Sequence, residues 1–152
     1  MNDVKKDKSL IKGLLLNELE NKGLSYSLLF FRIALSLELI IVHGLKKLGL
    51  NNGVAEVIPN PYGFPQWIND SVALAANFIC PVLIILGLFT RLVTLPVLAV
   101  TLSGYFIVHG NDSLLVRDVP FMYSICFLFL TFTGAGKYSL DNIISQNTIN
   151  HD

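Results

Sequence analysis

The chain has 152 residues, of which 53% are hydrophobic and 14% charged, and its 11 basic side chains balance 11 acidic ones. An ordinary soluble domain carries about 25% charged residues, and a mean hydropathy of +0.59 leaves too few amphipathic faces to solvate a four-helix soluble bundle. With no clustered basic excess there is no case for a nucleic-acid partner, and a single all-α membrane domain is the class that remains.

Residues 1–24 come first and carry Lys5, Lys6, Lys8, Lys12 and Lys22. Leu10, Ile11, Leu14, Leu15 and Leu19 fall on one helical face with Lys8, Lys12 and Glu18 largely elsewhere, a pattern that suits either a short amphipathic helix on the membrane surface or a disordered segment. The run LIKGLLL is interrupted by Lys12, and no small-residue cleavage pattern follows. The segment is therefore expected to be retained rather than removed as a signal.

A bilayer core about 30 Å thick takes about 20 mostly apolar residues at 1.5 Å per residue. Four runs approach this: about Ser25 to His43, Ser71 to Phe89, Leu92 to His109 and Val119 to Phe132. Residues 25–143 are thus expected to form a four-transmembrane-helix bundle, leaving 144–152 as a tail. Pro81 and Pro96 predict kinks rather than helix ends, because a membrane helix must still satisfy its own backbone. Between the first two spans, VIPNPYGFPQWIND carries Pro59, Pro61 and Pro65 with Tyr62, Phe64 and Trp67. It is expected to form an ordered turn whose aromatics anchor at the headgroups or lid the bundle. After the fourth span, KYSLDNIIS reads as a second short surface helix, capped by Ser139 and anchored by Lys137 and Tyr138.

Lysine and arginine set the expected orientation. Lys5, Lys6, Lys8, Lys12, Lys22, Arg91 and Lys137 lie on one side, and Lys46, Lys47 and Arg117 on the other, which places both termini in the cytoplasm. Residues 44–70 and 110–118 are then external.

Ionisable groups within the spans cost a few kcal/mol each and normally mark function. Arg32 lies about 10 Å inside the first span and Glu38 about 9 Å further along. At 100° per residue, Arg32, Ser36 and His43 share a face while Glu38 is rotated about 120° away, so Arg32 and Glu38 need partners from elsewhere. By depth, Glu38, His43, Tyr105, His109, Arg117 and Asp118 are expected to gather at one outer rim, suited to the polar head of a quinone, a sulfur oxyanion or a lipid. Histidine there would relay protons near neutral pH. The plainer reading pairs Glu38 with Arg117 and leaves the histidines as helix ends at the interface. No HExxH or comparable ligand spacing is present, so no metal is predicted. Cys80 and Cys126 lack a CxxC arrangement and read as small core residues.

HGLKKLG after the first span, IILGLFTRL from Ile84 to Leu92, VHG at 108–110 and GKYSLD from Gly136 to Asp141 together resemble, in order and spacing, the DoxX family of small bacterial membrane proteins. The resemblance covers roughly residues 25–143. It implies a four-helix protein of the bacterial inner membrane. Through the DoxX and DoxD group it also implies a link with thiosulfate:quinone oxidoreductase, in which a small membrane subunit passes electrons from a sulfur compound to quinone.

The same resemblance marks His43, Gly44, Lys47, Gly87, Arg91, His109, Gly136 and Tyr138. Arg91 would fix the tight turn by hydrogen-bonding helix ends or lipid phosphate, and Gly87 would let helices approach closely. Many relatives carry a glutamate fourteen residues before the arginine of GLFTR, where this chain has Asn77. Glu38 is then the nearest substitute for any proton-handling role. On this reading Glu38 and His109 shuttle protons, His43 and Tyr105 hydrogen-bond the quinone carbonyls, and Lys47 and Arg117 attract an anion beside Asp118. Arg32, Gly87, Arg91 and Tyr138 are structural. The chain cannot hold a redox centre by itself, so a quinone or a redox partner subunit is required. A non-catalytic membrane scaffold and a small-solute permease assembled as a homo-oligomer are the alternatives.

Overall fold

The computed structural model describes residues 22–50, 53 and 55–149; the expected N-terminal surface helix lies outside them. Four helices, α1 (Lys22–Lys47), α2 (Gln66–Leu86), α3 (Thr90–Val108) and α4 (Leu114–Thr133), are each long and apolar enough to cross a membrane. A shorter α5 (Leu140–Ile149) follows. Among the described residues there is no strand, and the chain is an all-α, four-helix membrane protein.

The helices outrun the apolar runs that announced them. Pro65 sits immediately before the first helical residue of α2, Gln66, so Trp67, Ile68, Asn69 and Asp70 are helical and not part of the turn. Proline tolerates this position because the first helical amides lack intrahelical acceptors in any case. Likewise α4 begins at Leu114 after Ser113, which puts Arg117 and Asp118 inside its first turns rather than ahead of it. Hydropathy alone ends a span at its charges; the backbone carries on until its caps.

Short turns at 87–89 and 109–113 make α2, α3 and α4 run alternately up and down. Residues 39–44 of α1 lie against residues 75–79 of α2, and the first part of α1 packs beside Cys80–Leu86, so α1 is antiparallel to α2. The bundle therefore has two distinct ends. One, the turn end, carries the starts of α1 and α3 and the whole of 134–149; the other, the loop end, carries 45–70 and 104–118.

Three helices open into a wide π turn, towards the loop end in α1 (Leu39–Gly44) and α3 (Gly104–Val108) and at mid-length in α2 (Ala75–Ile79). In each, an amide bonds five residues back: Leu45 to Ile40, Cys80 to Ala75 and His109 to Gly104. Such turns reset which face of a helix looks inward and often mark functional positions. In α2 the cause is legible, because Pro81 has no amide to give Asn77. A Cβ on Gly44 would lie 2.7 Å from that same Asn77 carbonyl oxygen, so only glycine lets α1 approach here. Pro96 and Pro120 lie within α3 and α4 without ending them.

Leu39, Cys80, Ile84, Val97, Leu98, Phe127 and Leu130 form the buried core. Two hydroxyl pairs cross between α3 and α4: Thr131 Oγ1 donates to Thr94 Oγ1 at 2.9 Å, and Ser124 Oγ to Thr101 Oγ1 at 2.9 Å. Between α1 and α2, Asn60 closes a turn through both side-chain atoms onto Phe64 (2.6 and 3.1 Å). Tyr62 reaches across to α3, its hydroxyl 2.7 Å from Ser103 Oγ, so the aromatic loop lies over the loop end.

Candidate functional site

Charged and polar groups cluster at both ends, in different ways. At the turn end, Arg32 is 1% exposed and its guanidinium gathers three chain segments. Nη1 donates to the Ala135 carbonyl, and Nη2 donates to the carbonyls of Ile85 at 3.2 Å and Tyr138 at 2.9 Å. A buried cation is tolerable only when its donors are taken up; the Ile85 carbonyl is one that the end of α2 leaves over, and those of Ala135 and Tyr138 belong to the non-helical stretch between α4 and α5. Only Nε remains without an acceptor.

The turn between α2 and α3 is built around this cation. Gly87 has φ +69, and a Cβ there would lie 2.7 Å from Arg32 Nη1 and 2.5 Å from Ser139 Cβ. Asp141 closes the other side: its carboxylate accepts from the amides of Phe89 (2.7 Å) and Thr90 (3.1 Å), while its own amide donates to Gly87 O at 2.9 Å. The carboxylate thus caps α3 where the helix dipole favours a negative charge. Ser139 accepts from the Asn142 amide at 3.2 Å, the capping role its position in the sequence suggests. Tyr138 stacks on Tyr26 with ring centroids 4.8 Å apart. Arg91 is exposed and makes no side-chain hydrogen bond among the described residues; the helix-end carbonyls are served by Arg32 instead.

At the loop end the expected rim divides into three groups. The first joins α1 and α4: the His43 ring meets the Tyr123 ring edge-on at 5.4 Å, and Glu38 lies within electrostatic reach of both. Glu38 is exposed on the outside of the bundle, not turned inward as an ionisable group in a span normally is. Helical rotation explains this, since Arg32, Ser36 and Leu39 take the buried face of α1 and Glu38 falls off it.

The second group joins α3 and α4. Arg117 lies over the Tyr105 ring, 4.3 Å from its centroid, and donates to Gly110 O at 3.2 Å, while His109 Nδ1 lies 2.7 Å from Asp112 Oδ2. Arg117 therefore stacks on Tyr105 rather than pairing with Glu38. Asp118 is exposed on α4. The third group sits under the loop, where Lys46 pairs with Glu56 at 3.0 Å. Lys47, Glu56, Gln66 and Asp70 line a cavity of about 320 Å³ there.

His43 and His109 stand at the same end of the bundle, the ends of α1 and α3, but in separate groups. Contributing residues not singled out from the sequence include Glu56, Asp112, Tyr123 and Asp141. Asp112 had a visible signal, lying three residues after His109 in a turn, and Tyr123 was the one hydroxyl-bearing ring of the fourth apolar run.

The DoxX family model matches residues 27–110 of the chain. An uncharacterized protein of Haemophilus influenzae is 31% identical over 137 residues, which cover 85% of this chain and 90% of that protein. A second uncharacterized protein of the same organism is 32% identical over 140 residues, covering 84% and 96%. No solved structure matches the chain.

Proposed function

The chain belongs to the DoxX family of multi-pass membrane proteins, and from that premise we propose that it is a membrane subunit or accessory of a quinone-linked oxidoreductase. The site we assign lies between α1 and α4. The observation that carries this reading is Glu38, an exposed carboxylate within a membrane span that makes no hydrogen bond among the described residues. Such a group normally marks a functional site.

The residues suit a quinone head. Glu38 accepts or gives a proton, the half-buried His43 imidazole and the Tyr123 phenol donate to carbonyl oxygens, and all three are reached from the lipid side, where a quinone resides. When bound, a quinone supplies two-electron, two-proton redox chemistry that this chain does not contain, so electrons must come from a partner subunit. The chain's own part is to orient the head through His43 and Tyr123 and to hold a proton at Glu38. His109 with Asp112, and Arg117 with Tyr105, stand at the aqueous edge of the same end, where they can pass protons to water. With both termini in the cytoplasm, as the lysine distribution favours, that end faces outward from a bacterial inner membrane.

The test is to purify the protein in native lipid and quantify co-purified quinone. Wild type should retain it, and Glu38→Gln and Tyr123→Phe should each lower retention by roughly tenfold, the effect of losing one strong hydrogen bond. A Glu38→Gln protein with wild-type quinone content would remove this reading and leave a scaffold role as the better account.

A further inference from the structure

A second site lies at the turn end, on different residues and independent of the quinone reading. Arg91 is exposed, yet its guanidinium does not trail into solvent. A Cβ on Gly134 would lie 3.0 Å from Arg91 Nε and 3.5 Å from Nη2, so the cation rests on the chain reversal that ends α4. Gly134 has φ 75 and ψ −166, a conformation essentially confined to glycine. The backbone is thus bent in a way that leaves room for the guanidinium.

Beside it is a cavity of about 420 Å³ lined by Arg91, Gly134, Ala135, Gly136, Ser139 and Asn142, among others. The amides of Ala135 and Gly136 have no acceptor among the described residues. The only carboxylate in the lining, Asp141, accepts from the amides of Phe89 and Thr90 and forms no ion pair with Arg91, its charge being felt by Arg32 instead. Behind the reversal, Arg32 donates to the Ala135 carbonyl and its charge offsets that of Asp141, which leaves Arg91 as the uncompensated cation of the lining.

The geometry points to an anion site for a phosphate group. Arg91 would hold it by a two-pronged contact, the arrangement guanidinium and phosphate favour. Its position names the source. Around the cleft, where α3 begins and α4 ends, Phe89 is 62%, Leu92 65% and Phe132 73% exposed. An apolar collar at the depth of helix ends suits acyl chains with the headgroup among the helix termini, so the ligand is the headgroup of an acidic phospholipid.

Native mass spectrometry of the delipidated full-length protein, titrated with phosphatidylglycerol or phosphatidylcholine, tests this. Wild type should bind phosphatidylglycerol preferentially. Arg91→Gln should weaken that binding about tenfold, a typical loss for a charge-assisted contact, and Arg91→Lys should fall between, keeping the charge without the fork. Thermal unfolding in phosphatidylcholine checks that both variants fold; should Arg91→Gln not fold, the intermediate affinity of Arg91→Lys decides. Inorganic phosphate is the second arm: failure to displace phosphatidylglycerol confirms the lipid, whereas displacement at millimolar phosphate overturns the lipid source and keeps the anion site. Equal binding of the two lipids by wild type, or wild-type phosphatidylglycerol affinity in both variants, overturns the proposal.

Discussion

Arg32 Nη2 donates to the carbonyl oxygen of Tyr138 at 2.9 Å, joining the first membrane helix to a residue 106 positions further along the chain. Through the same guanidinium, the end of α2 and the chain after α4 are held to α1. The intramembrane arginine therefore fastens the turn end of the bundle, and the exposed carboxylate, Glu38, lies toward the opposite end. One span carries a structural charge and a candidate chemical one, separated by burial.

Arg32→Met is expected to lower stability by about 3 kcal/mol or more, because buried carbonyls that lose a donor pay the full desolvation cost. Arg32→Lys should recover less than half, since an ammonium cannot span the three segments that the planar fork reaches. Unfolding in detergent, followed by helical circular dichroism, measures both. A methionine variant as stable as wild type would show that the carbonyls find other donors.

Gly87→Ala and Gly63→Ala make a matched pair. Both glycines have positive φ, +69 and +68, but a Cβ at Gly63 meets nothing within 4 Å, while one at Gly87 meets Ser139 and Arg32. Alanine at Gly63 should cost about 1 kcal/mol from backbone handedness alone. At Gly87 the same handedness term is joined by displacement of the Arg32 cluster, for roughly 3 kcal/mol in all. Equal losses at the two positions would mean that the close approach to Arg32 adds nothing.

Much of this architecture was legible in the chain, for physical reasons that also explain what was not. Spans announce themselves because about 20 apolar residues have few other uses, and Ser139 announces α5 because a hydroxyl before a helix has an amide to accept. Arg32 was visible as a buried charge in need of partners. Those partners are backbone carbonyls of Ile85, Ala135 and Tyr138, and a carbonyl carries no side-chain signature. The rim was expected as one constellation because helical depth brings Glu38, His43, Tyr105, His109 and Arg117 to one end. Depth does not fix rotation about each helix axis, and rotation is what divides them among α1–α4 and α3–α4 contacts. The π turns deepen the difficulty, since each adds a residue to one turn and shifts every later position.

Asp141 bridges the tail to the start of α3, and its loss should be felt there. Phe89 adopts a left-handed conformation (φ 49), unfavourable by about 1–2 kcal/mol for a residue with a Cβ, and the Asp141 carboxylate holds its amide in place. Asp141→Ala is expected to cost about 1–2 kcal/mol, the range for a lost helix cap, and Asp141→Asn roughly half, since one acceptor oxygen remains. Hydrogen exchange at Phe89 and Thr90 should accelerate in the alanine variant. Unchanged exchange would place the cap elsewhere.

The Thr94–Thr131 pair tests whether buried hydroxyls hold α3 to α4. Thr131 Oγ1 also donates to Phe127 O at 2.8 Å, so the single variant Thr131→Val mixes two effects. A double-mutant cycle with Thr94→Val isolates the pair, and the expected coupling is about 0.6 kcal/mol, the average for hydrogen bonds between membrane helices. A coupling of zero would mean that shape alone decides this interface.

Orientation rests on residues outside the bundle. Within the described part of the chain the two ends are nearly matched, with Lys22, Arg91 and Lys137 at the turn end and Lys46, Lys47 and Arg117 at the loop end; Arg32 is buried and spoken for. The bias comes from Lys5, Lys6, Lys8 and Lys12, and positive charge near the first span is what most often sets topology. In cells, thiols introduced by Val57→Cys and Lys137→Cys, with Cys80 and Cys126 replaced, should label from opposite sides, with the 57 position reached from outside. Replacing the four N-terminal lysines with glutamine should yield a mixed population in which position 137 also becomes reachable from outside. If labelling stayed one-sided, the bundle itself would set its direction.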